Sequence, residues 1–268
     1  MRLSVPGSGN LDRRLPRFGP GAIAVWRRNL LVWRKLMGPS LLFNFGEPFI
    51  YLLGLGLGLG HFVRQMSGIP YLTFLASGLL ASSAMNSATF EGLYSVYTRM
   101  VPQQTYEGML ATPLDVDDIV AGELLWCATK GVVSSSAILV VAFVLGAVHS
   151  WNALLCLPVF YLVGLCFAGP AIMVTSVSPS YDFFNYYVTL FITPMFMLCG
   201  VFYPISTLPA FLQTTVQFLP LTHAVALVRP LISGQAPQQA LLHIIVLCFF
   251  SLAGFYASVV LARKRLIH

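Results

Sequence analysis

The stretch YLLGLGLGLGHF at residues 51–62 is the first candidate for chemistry, because glycine-rich loops can cradle phosphate groups. A Walker A loop ends in a lysine that is followed by serine or threonine. The three lysines of this chain are followed by Leu36, Gly131 and Arg265. The dinucleotide spacing GxGxxG is missing as well. We therefore predict that this chain has no nucleotide site of its own.

Catalytic and metal-binding patterns are also missing. The five histidines are scattered, and neither HExxH nor GxSxG occurs. The five cysteines lie in apolar stretches without CxxC spacing, which is typical of reduced packing residues. We expect no catalytic residues, no metal site and no cofactor bound by this chain.

Four ionisable residues lie within apolar stretches, where a charge is costly and therefore suggests a function. Glu47 and Lys130 lie deepest by residue count. Glu91 and Glu123 either reach the cytoplasmic interface or have a role inside the protein. Glu123 and Lys130 are seven residues apart, on one helix face, so they can share a partner or water.

Small polar residues and aromatic residues suggest a path for a substrate. Ser83, Asn86 and Ser87 lie in ASSAMNSAT, where interhelical hydrogen bonds are the alternative explanation. Phe184 and Tyr187 belong to YDFFNYY, which is either an interfacial aromatic belt or a stacking platform. With Glu47 and Lys130, these residues form the predicted substrate path.

The amino-acid composition indicates that the protein lies in a membrane rather than in water. Hydrophobic residues make up 57% and charged residues 9% of the 268 residues, and the mean hydropathy is +0.79. Soluble domains carry roughly 25% charged residues, and a helix needs roughly 20 apolar residues to cross a bilayer. We predict an all-α integral membrane protein with six transmembrane helices, over residues 39–62, 70–97, 120–148, 153–177, 184–203 and 239–262.

Basic residues orient the predicted bundle. Eight of the fifteen lysines and arginines precede residue 39, and three follow the last span, so both termini are expected in the cytoplasm. We predict a flexible basic tail over residues 1–20, without a cleaved signal peptide. An amphipathic interfacial helix follows over 21–37, and the transmembrane domain covers 38–268. The net charge of +6 suits contact with anionic lipids and requires no nucleic acid.

As a helix, the glycine run presents two overlapping GxxxG pairs, Gly54 with Gly58 and Gly56 with Gly60. Small residues at this spacing allow close approach of two membrane helices. We predict that the two faces pack against different neighbours, one of them a second copy of the chain. The alternative is a deformable helix without a specific partner.

The acid-rich stretch RMVPQQTYEGMLATPLDVDDIVAGE covers residues 99–123, between the second and third predicted spans. Pro102 suits a first helical turn, TPLD ends the helix, and Asp117 or Asp118 can cap the next one. We predict a short cytoplasmic helix over about 101–113. Its tyrosine, methionine and leucine side chains are expected to be exposed, as a docking surface for a soluble partner requires.

Two stretches resemble the ABC-2-type transporter permeases. The family's coupling region runs roughly T-x-E-x-(L/M)-L-x-T-P-(L/I), and it is matched here by Thr105, Glu107, Met109, Leu110, Thr112, Pro113 and Leu114. Residues 198–234 are similar to a second family stretch through Gly200, Phe202, Pro204, Pro209, Pro220, Thr222, Arg229 and Gly234. In the family the second stretch forms short re-entrant helices before the last span, here at about 204–222. The prolines independently favour broken helices.

The resemblance covers about residues 20 to 265, and it looks closest to the NodJ-like subfamily of lipo-oligosaccharide exporter permeases. It implies a permease in the bacterial inner membrane that works as a homodimer with two copies of a separate ABC ATPase, which binds ATP and Mg. The implied cargo is a lipo-oligosaccharide, a polysaccharide or another amphiphile, and the first and fifth spans would open its path. The residues implied to meet the ATPase are Thr105, Tyr106, Glu107, Met109, Leu110, Thr112 and Pro113, with Arg27 and Arg28 of the amphipathic helix.

Two other classes of protein remain open from the sequence. A secondary transporter driven by an ion gradient predicts inverted repeats and mid-span acids, for which Glu47 is thin support. An intramembrane lipid-modifying enzyme requires clustered catalytic residues, and the sequence shows no such cluster. Co-purification of a separate ATPase would discriminate between these classes and the exporter.

Overall fold

The computed structural model describes residues 14–35 and 37–267; for residues 39–48, 57 and 267 the description covers the backbone alone. The described helices are α1 Gly21–Lys35, α2 Met37–Gly58, α3 Tyr71–Phe90, α4 Val96–Met100, α5 Thr105–Leu110, α6 Val116–Val144, α7 Cys156–Val177, α8 Asp182–Tyr187, α9 Thr193–Leu198, α10 Ala210–Val216, α11 Pro220–Ser233 and α12 Ala240–Ile267. A hairpin of β1 Gln65–Met66 and β2 Ile69–Pro70 joins α2 to α3. The prediction of a helical protein is confirmed, and this hairpin is a small addition to it.

Two π-helical turns and three 3₁₀ turns connect or extend these helices. The π-turn Glu91–Ser95 joins α3 to α4, and the π-turn Val188–Ile192 joins α8 to α9. The 3₁₀ turns are Leu59–His61, Trp151–Leu155 and Ile205–Thr207. Residues 71–100 and 182–198 therefore each form one continuous helical run.

Three described helices are long and apolar enough to cross a membrane: Val116–Val144, Trp151–Val177 and Ala240–Leu266. Helices α10 and α11 meet at a bend of 86°. If the pair is counted as one broken span, the described chain has four. The chain is thus an integral membrane protein, while the count of six spans stays a prediction. Helix α3 is less apolar because it contains many polar residues, but these are buried in the bundle: Thr73, Ser77, Ser82, Ser83, Ser87 and Thr89.

The tightest helix crossings in the described bundle involve glycines outside the glycine run. A Cβ atom built on Gly164 of α7 would lie 2.6 Å from Cα of Ala128 in α6. A Cβ atom on Gly169 would lie 2.6 Å from the backbone carbon of Gly254 in α12. Backbone atoms cannot move aside as a flexible side chain can, so any larger residue would force these helices apart.

The glycine run has one covered face and one open face. Leu52 is fully buried, and a Cβ atom on Gly56 would lie 2.6 Å from Cδ1 of Leu72 in α3. On the other face, nothing in the described part of the chain lies within 4 Å of a Cβ atom built on Gly54 or Gly58. The two glycine pairs therefore have different surroundings within the protomer.

The bent segment of residues 205–233 begins its helices at prolines. Pro204 and Pro209 precede the 3₁₀ turn and α10, and Pro220 occupies the first turn of α11. Helix α11 runs on to Ser233 and ends where Gly234 adopts φ +82°. Pro220 starts this helix and Gly234 ends it. The re-entrant region of about 204–222 stays a prediction.

Arg229 joins this bent segment to α3. Its Nη2 donates to the carbonyl oxygen of Gly200 at 2.6 Å, and its Nε donates to Oγ of Ser77 at 2.9 Å. Its guanidinium carbon lies 3.6 Å from the ring centroid of Phe74. Phe202, two residues after Gly200, packs against Phe196, with ring centroids 4.9 Å apart. The arginine thus has a structural role, since it satisfies the carbonyl of a left-handed turn.

Candidate functional site

The predicted docking helix is shorter than expected, and two of its side chains face inward. The helix spans Thr105–Leu110, after Gln104 at φ +50°, so Pro102 lies in the preceding turn. Tyr106 is 1% exposed and Met109 is 8% exposed. The prediction that these two side chains form an exposed surface is wrong. They are the anchors that hold α5 on the bundle.

The outward face of α5 is small and polar. Glu107 and Gly108 are exposed, as are Ala111, Thr112 and Pro113 in the turn that follows. Thr105 and Leu110 are half-buried. Tyr106 and Met109 belong to a cluster with Val25 of α1 and with Ile119 and Val120 of α6. A force on the exposed face of α5 would therefore reach α1 and α6 through side chains in contact.

An ion network lies behind these anchors. Nη2 of Arg99 donates to Oε2 of Glu123 at 2.7 Å, and Nε of Arg99 donates to Oε1 at 3.0 Å. Nη1 and Nη2 of Arg99 also donate to Oε1 of Glu91, both at 3.2 Å. Nε1 of Trp126 donates to the same oxygen at 2.9 Å. Glu123 is fully buried and Glu91 is half-buried, and both carboxylates are held by Arg99.

The π-turn Glu91–Ser95 makes this network possible. Glu91 and Arg99 are eight residues apart, which in a regular α-helix is about 80° out of line. The extra residue of a π-turn brings them close to one face. Oγ1 of Thr175 donates to the carbonyl oxygens of Gly92 and Leu93, at 2.8 and 3.3 Å, and so satisfies groups that the turn leaves free.

Helix α1 is tied to the same network. Nδ2 of Asn29 donates to Oε2 of Glu123 at 3.0 Å, and Nε1 of Trp26 donates to Oγ1 of Thr129 at 2.9 Å. Gly122 allows the close approach, since a Cβ atom there would lie 2.6 Å from both Ala22 O and Cβ of Val25. The amphipathic helix is therefore packed on α6 along its inner face.

The two adjacent arginines of α1 lie in different surroundings. Arg27 is exposed, whereas Arg28 is half-buried. Nη1 of Arg28 donates to Oδ1 of Asn29 at 2.9 Å. Burial lowers the pKa of Arg28, and the positive charge of Arg99 lowers it further. Burial raises the pKa of the Tyr106 hydroxyl, and the negative charge of Glu123 raises it further.

Lys130 and the ion network border one cavity of about 300 Å³. Nζ of Lys130 lies 5.3 Å from the ring centroid of Trp33. Glu123 binds Arg99 and Asn29, while the prediction that Glu123 and Lys130 share a partner or a water stays a prediction. Among the described residues, no group of three or more His, Cys, Asp or Glu side chains could hold a metal ion.

The polar residues of the predicted substrate path are engaged in helix packing where the structure describes them. Oγ of Ser83 lies 2.9 Å from Oγ of Ser134, and Ser87 donates to the carbonyl oxygen of Lys130 at 3.2 Å. Asn86 is half-buried. These contacts are the interhelical hydrogen bonds that were the alternative explanation. The Glu47 side chain lies outside the described part of the chain.

The aromatic residues at the start of the fifth predicted span form a packed cluster. Phe184 is fully buried, with its ring centroid 5.3 Å from the rings of both Tyr94 and Tyr97. Phe184 is therefore neither an interfacial belt residue nor an open stacking platform. Tyr187 is half-buried and stacks on Phe191 at 5.6 Å.

Two arginines near the C-terminus have specific partners. Arg263 pairs with Asp117, which also accepts a hydrogen bond from the backbone N–H of Arg17 at 2.8 Å. Arg265 donates to the carbonyl oxygens of Thr175 and Ser178 at the end of α7. The N-cap of α6 is Asp115, so the prediction that Asp117 or Asp118 caps this helix is wrong.

Sequence reasoning missed three members of the network: Asn29, Arg99 and Trp126. The available signal was the presence of one arginine shortly after a helix that carries Glu91. That signal was weak because the spacing of eight residues does not match a regular helix face. The pairing with Glu123 depends on the packing of two helices.

Comparison with known proteins identifies the family of this chain. Residues 22–232 match the family model described as ABC-2 type transporter, and the chain belongs to that family. Nodulation protein J of Rhizobium leguminosarum bv. viciae is 46% identical over 254 residues, which cover 94% of this chain and 98% of the relative. Nodulation protein J of R. leguminosarum bv. trifolii is 44% identical over 260 residues, 97% of this chain and 99% of the relative. The inner membrane transport permease YadH of Escherichia coli K12 is 23% identical over 201 residues, 74% of this chain and 76% of the relative.

Proposed function

We propose that the chain is the permease subunit of an ATP-driven exporter of the bacterial inner membrane, powered by a separate ATPase. The observation that carries the proposal is the apolar cluster that joins Tyr106 and Met109 of α5 to Val25 of α1 and to α6. Helix α6 is the one whose Glu123 is paired with Arg99. A permease that binds no nucleotide itself needs such a mechanical connection from its cytoplasmic face into the bundle.

The cargo that we propose is a lipo-oligosaccharide, with a polysaccharide or another amphiphile as the wider class. Relatives named nodulation protein J cover nearly the whole chain at up to 46% identity, which supports a cargo of the kind that these relatives handle. Exposed apolar side chains on the run of residues 182–198, such as Tyr186 and Leu190, suit a path used by an acyl chain.

The topology that we propose has six spans and both termini in the cytoplasm. The three long apolar helices, α2, and the helical runs 71–100 and 182–198 supply six candidates. This arrangement places α5 and the basic helix α1 on the cytoplasmic side, in agreement with the positive-inside rule. It places the bent segment of residues 205–233 on the outer side.

The ATPase surface that we propose consists of the exposed side of α5 and the turn after it, chiefly Glu107, Thr112 and Pro113, together with the exposed Arg27 of α1. Tyr106 and Met109 transmit motion rather than touch the partner, because both are buried. ATP and Mg would bind in the partner chain, present in two copies.

The test of the proposed function is photo-crosslinking in the native cells, with a crosslinking residue at position 107. We expect one P-loop ATPase to be captured and to co-purify in near-equal amount in mild detergent. The matched control is the same residue at Phe211, which is 78% exposed in the bent segment and should not capture it. A permease that elutes alone, and a crosslink at 107 that captures no ATPase, would contradict the proposal.

We further propose that the open glycine face mediates a homodimer. Ile50, Gly54 and Gly58 are spaced four apart and all exposed, with Ile50 68% exposed. In lipid, a smooth face of this kind gains dispersion contacts only from another helix that can approach closely.

Substitution of leucine at Gly58 is expected to lower the dimer fraction in mild detergent by about tenfold, because the helices can no longer approach closely. Size-exclusion chromatography with light scattering is the measurement. Leucine at Gly108, an exposed glycine of α5 with open space around it, is the matched control and should leave the dimer fraction unchanged. An unchanged dimer fraction in the Gly58→Leu protein would remove this interface.

A further inference from the structure

The cavity of about 300 Å³ between α1, α4 and α6 is distinct from the outward face of α5. Its lining includes Arg28 and Trp33 from α1, Arg99 from α4, and Trp126 and Lys130 from α6. Glu91 also reaches it from the π-turn. The cavity thus combines cationic side chains with two indole rings, in a part of the molecule where the exporter proposal needs only a mechanical connection.

The carboxylates at this cavity are already occupied. Both oxygens of Glu123 accept hydrogen bonds from Arg99, and one also accepts from Asn29. Oε1 of Glu91 accepts from Arg99 and from Trp126. Arg99 carries one positive charge against their two negative charges, and with Arg28 and Lys130 the three cations and two carboxylates at this cavity have a net charge of one positive.

Arg28 is the cation with donors to spare. In the described chain, its guanidinium makes a single hydrogen bond, from Nη1 to Oδ1 of its neighbour Asn29. A guanidinium carries five N–H donors in a planar fork. Arg28 is half-buried and close enough to Arg99 to be repelled by it. An anion in the cavity would offset both the burial and the repulsion.

A phosphate group matches these features. The guanidinium fork binds phosphate through two parallel hydrogen bonds, which lysine alone does not provide. A volume of 300 Å³ corresponds to the space of about ten waters, enough for a phosphate and the first atoms attached to it. Indole rings are common at the depth of lipid headgroups, where one side is apolar and the other is wet.

We propose that this cavity binds a phosphate group, held chiefly by Arg28, with Lys130 as a second cation and the rings of Trp33 and Trp126 as walls. The source that the surroundings favour is an anionic phospholipid of the cytoplasmic leaflet, because α1 is a basic amphipathic helix. This inference relies on the proposed function for the location of α1 at the cytoplasmic interface. Bound there, the lipid would join α1 to α4 and α6.

Native mass spectrometry of the purified protein in neutral detergent tests this site. The protein is first exposed to mixed vesicles of phosphatidylglycerol and phosphatidylcholine and is then gently delipidated. We expect one phosphatidylglycerol to be retained per chain. The Arg28→Gln protein should retain about tenfold less, since a charge-assisted bidentate contact is lost. The Arg27→Gln protein is the matched control, because Arg27 is adjacent on α1 but exposed, and its retention should equal that of the wild type.

A second measurement separates the sources of the phosphate and does not depend on the variant folding. Inorganic phosphate is titrated into delipidated wild-type protein while tryptophan emission is followed, with chloride at equal ionic strength as the reference. If phosphate changes the tryptophan emission of protein that retains no lipid, the site binds free phosphate. Equal loss of lipid in the Arg27 and Arg28 variants, or no retention of lipid and no response to phosphate, would overturn the proposal.

The two proposals fail independently. Arg28→Gln should leave ATPase capture at position 107 unchanged, because Arg28 faces the cavity and not the surface of α5. If the expected lipid retention is not observed while position 107 still captures the ATPase, only the phosphate site is contradicted. If the crosslinking residue at position 107 captures no ATPase, the exporter proposal is contradicted, whether or not lipid is retained.

Discussion

Replacement of Arg99 by methionine is expected to have the largest effect on stability of any single substitution in this protein. It would leave Glu91 and Glu123 buried without their cation, a change that costs about 3–5 kcal/mol in buried ion pairs. We expect the protein to lose its monodisperse peak at a markedly lower temperature in thermal size-exclusion experiments, and to accumulate poorly in membranes.

The neutral version of the network is the control for this prediction. A protein with Glu91→Gln, Arg99→Met and Glu123→Gln lacks all three charges of the network together, and the amides can still bond to Asn29 and Trp126. It should recover much of the lost stability, since a buried network removed as a whole costs far less than one broken at a single partner. Equal stability of the Arg99→Met protein and the wild type would show that the ion network contributes nothing.

Charge reversal at the exposed face of α5 is expected to have the largest effect on transport. The Glu107→Arg protein should lose at least about tenfold in export, while the ATPase continues to hydrolyse ATP, because one lost charge-assisted contact changes binding by about this factor. Glu107 is exposed, so its replacement should leave the helices folded. Reconstituted vesicles allow export and hydrolysis to be measured on the same sample.

Asp182→Arg is the matched control for this uncoupling, because Asp182 is also an exposed acid on the proposed cytoplasmic side but begins a different helix, α8. It should export normally. Pro113→Gly is a second test, because it loosens the turn that follows α5 without a change of charge. Normal export by both Glu107→Arg and Pro113→Gly would show that α5 does not couple the two subunits.

The glycine run shows how far a pattern can be taken. Its spacing predicts two smooth helix faces, and the structure places Gly56 against Leu72 while Gly54 and Gly58 stay open. Which face is covered within the protomer depends on where α3 lies, and no local pattern contains that information. Equally close approaches to the backbone of a neighbour occur at Gly164 and Gly169, which lie outside the glycine run.

The docking helix shows the opposite case. Its motif identified the segment, but the motif alone does not say which of its side chains face inward. Tyr106 and Met109 are buried because α5 lies on a surface formed by α6, which follows it in the chain, and by α1, which is far away in sequence. A helix of six residues has too little periodicity to reveal a buried face by itself.

The sequence by itself determined the solvent, the helical class and the family of this protein, because composition and long apolar runs act through transfer free energies that depend on local content. It also indicated the short helix α5 and the proline-broken helices of residues 205–233. Only the tertiary structure decided the partners of the charges: Arg99 with Glu91 and Glu123, Arg263 with Asp117, and Arg229 with carbonyl oxygens. A charge in an apolar helix must find a partner, but the partner is set by helix contacts and by a π-turn that changes the register of one helix face.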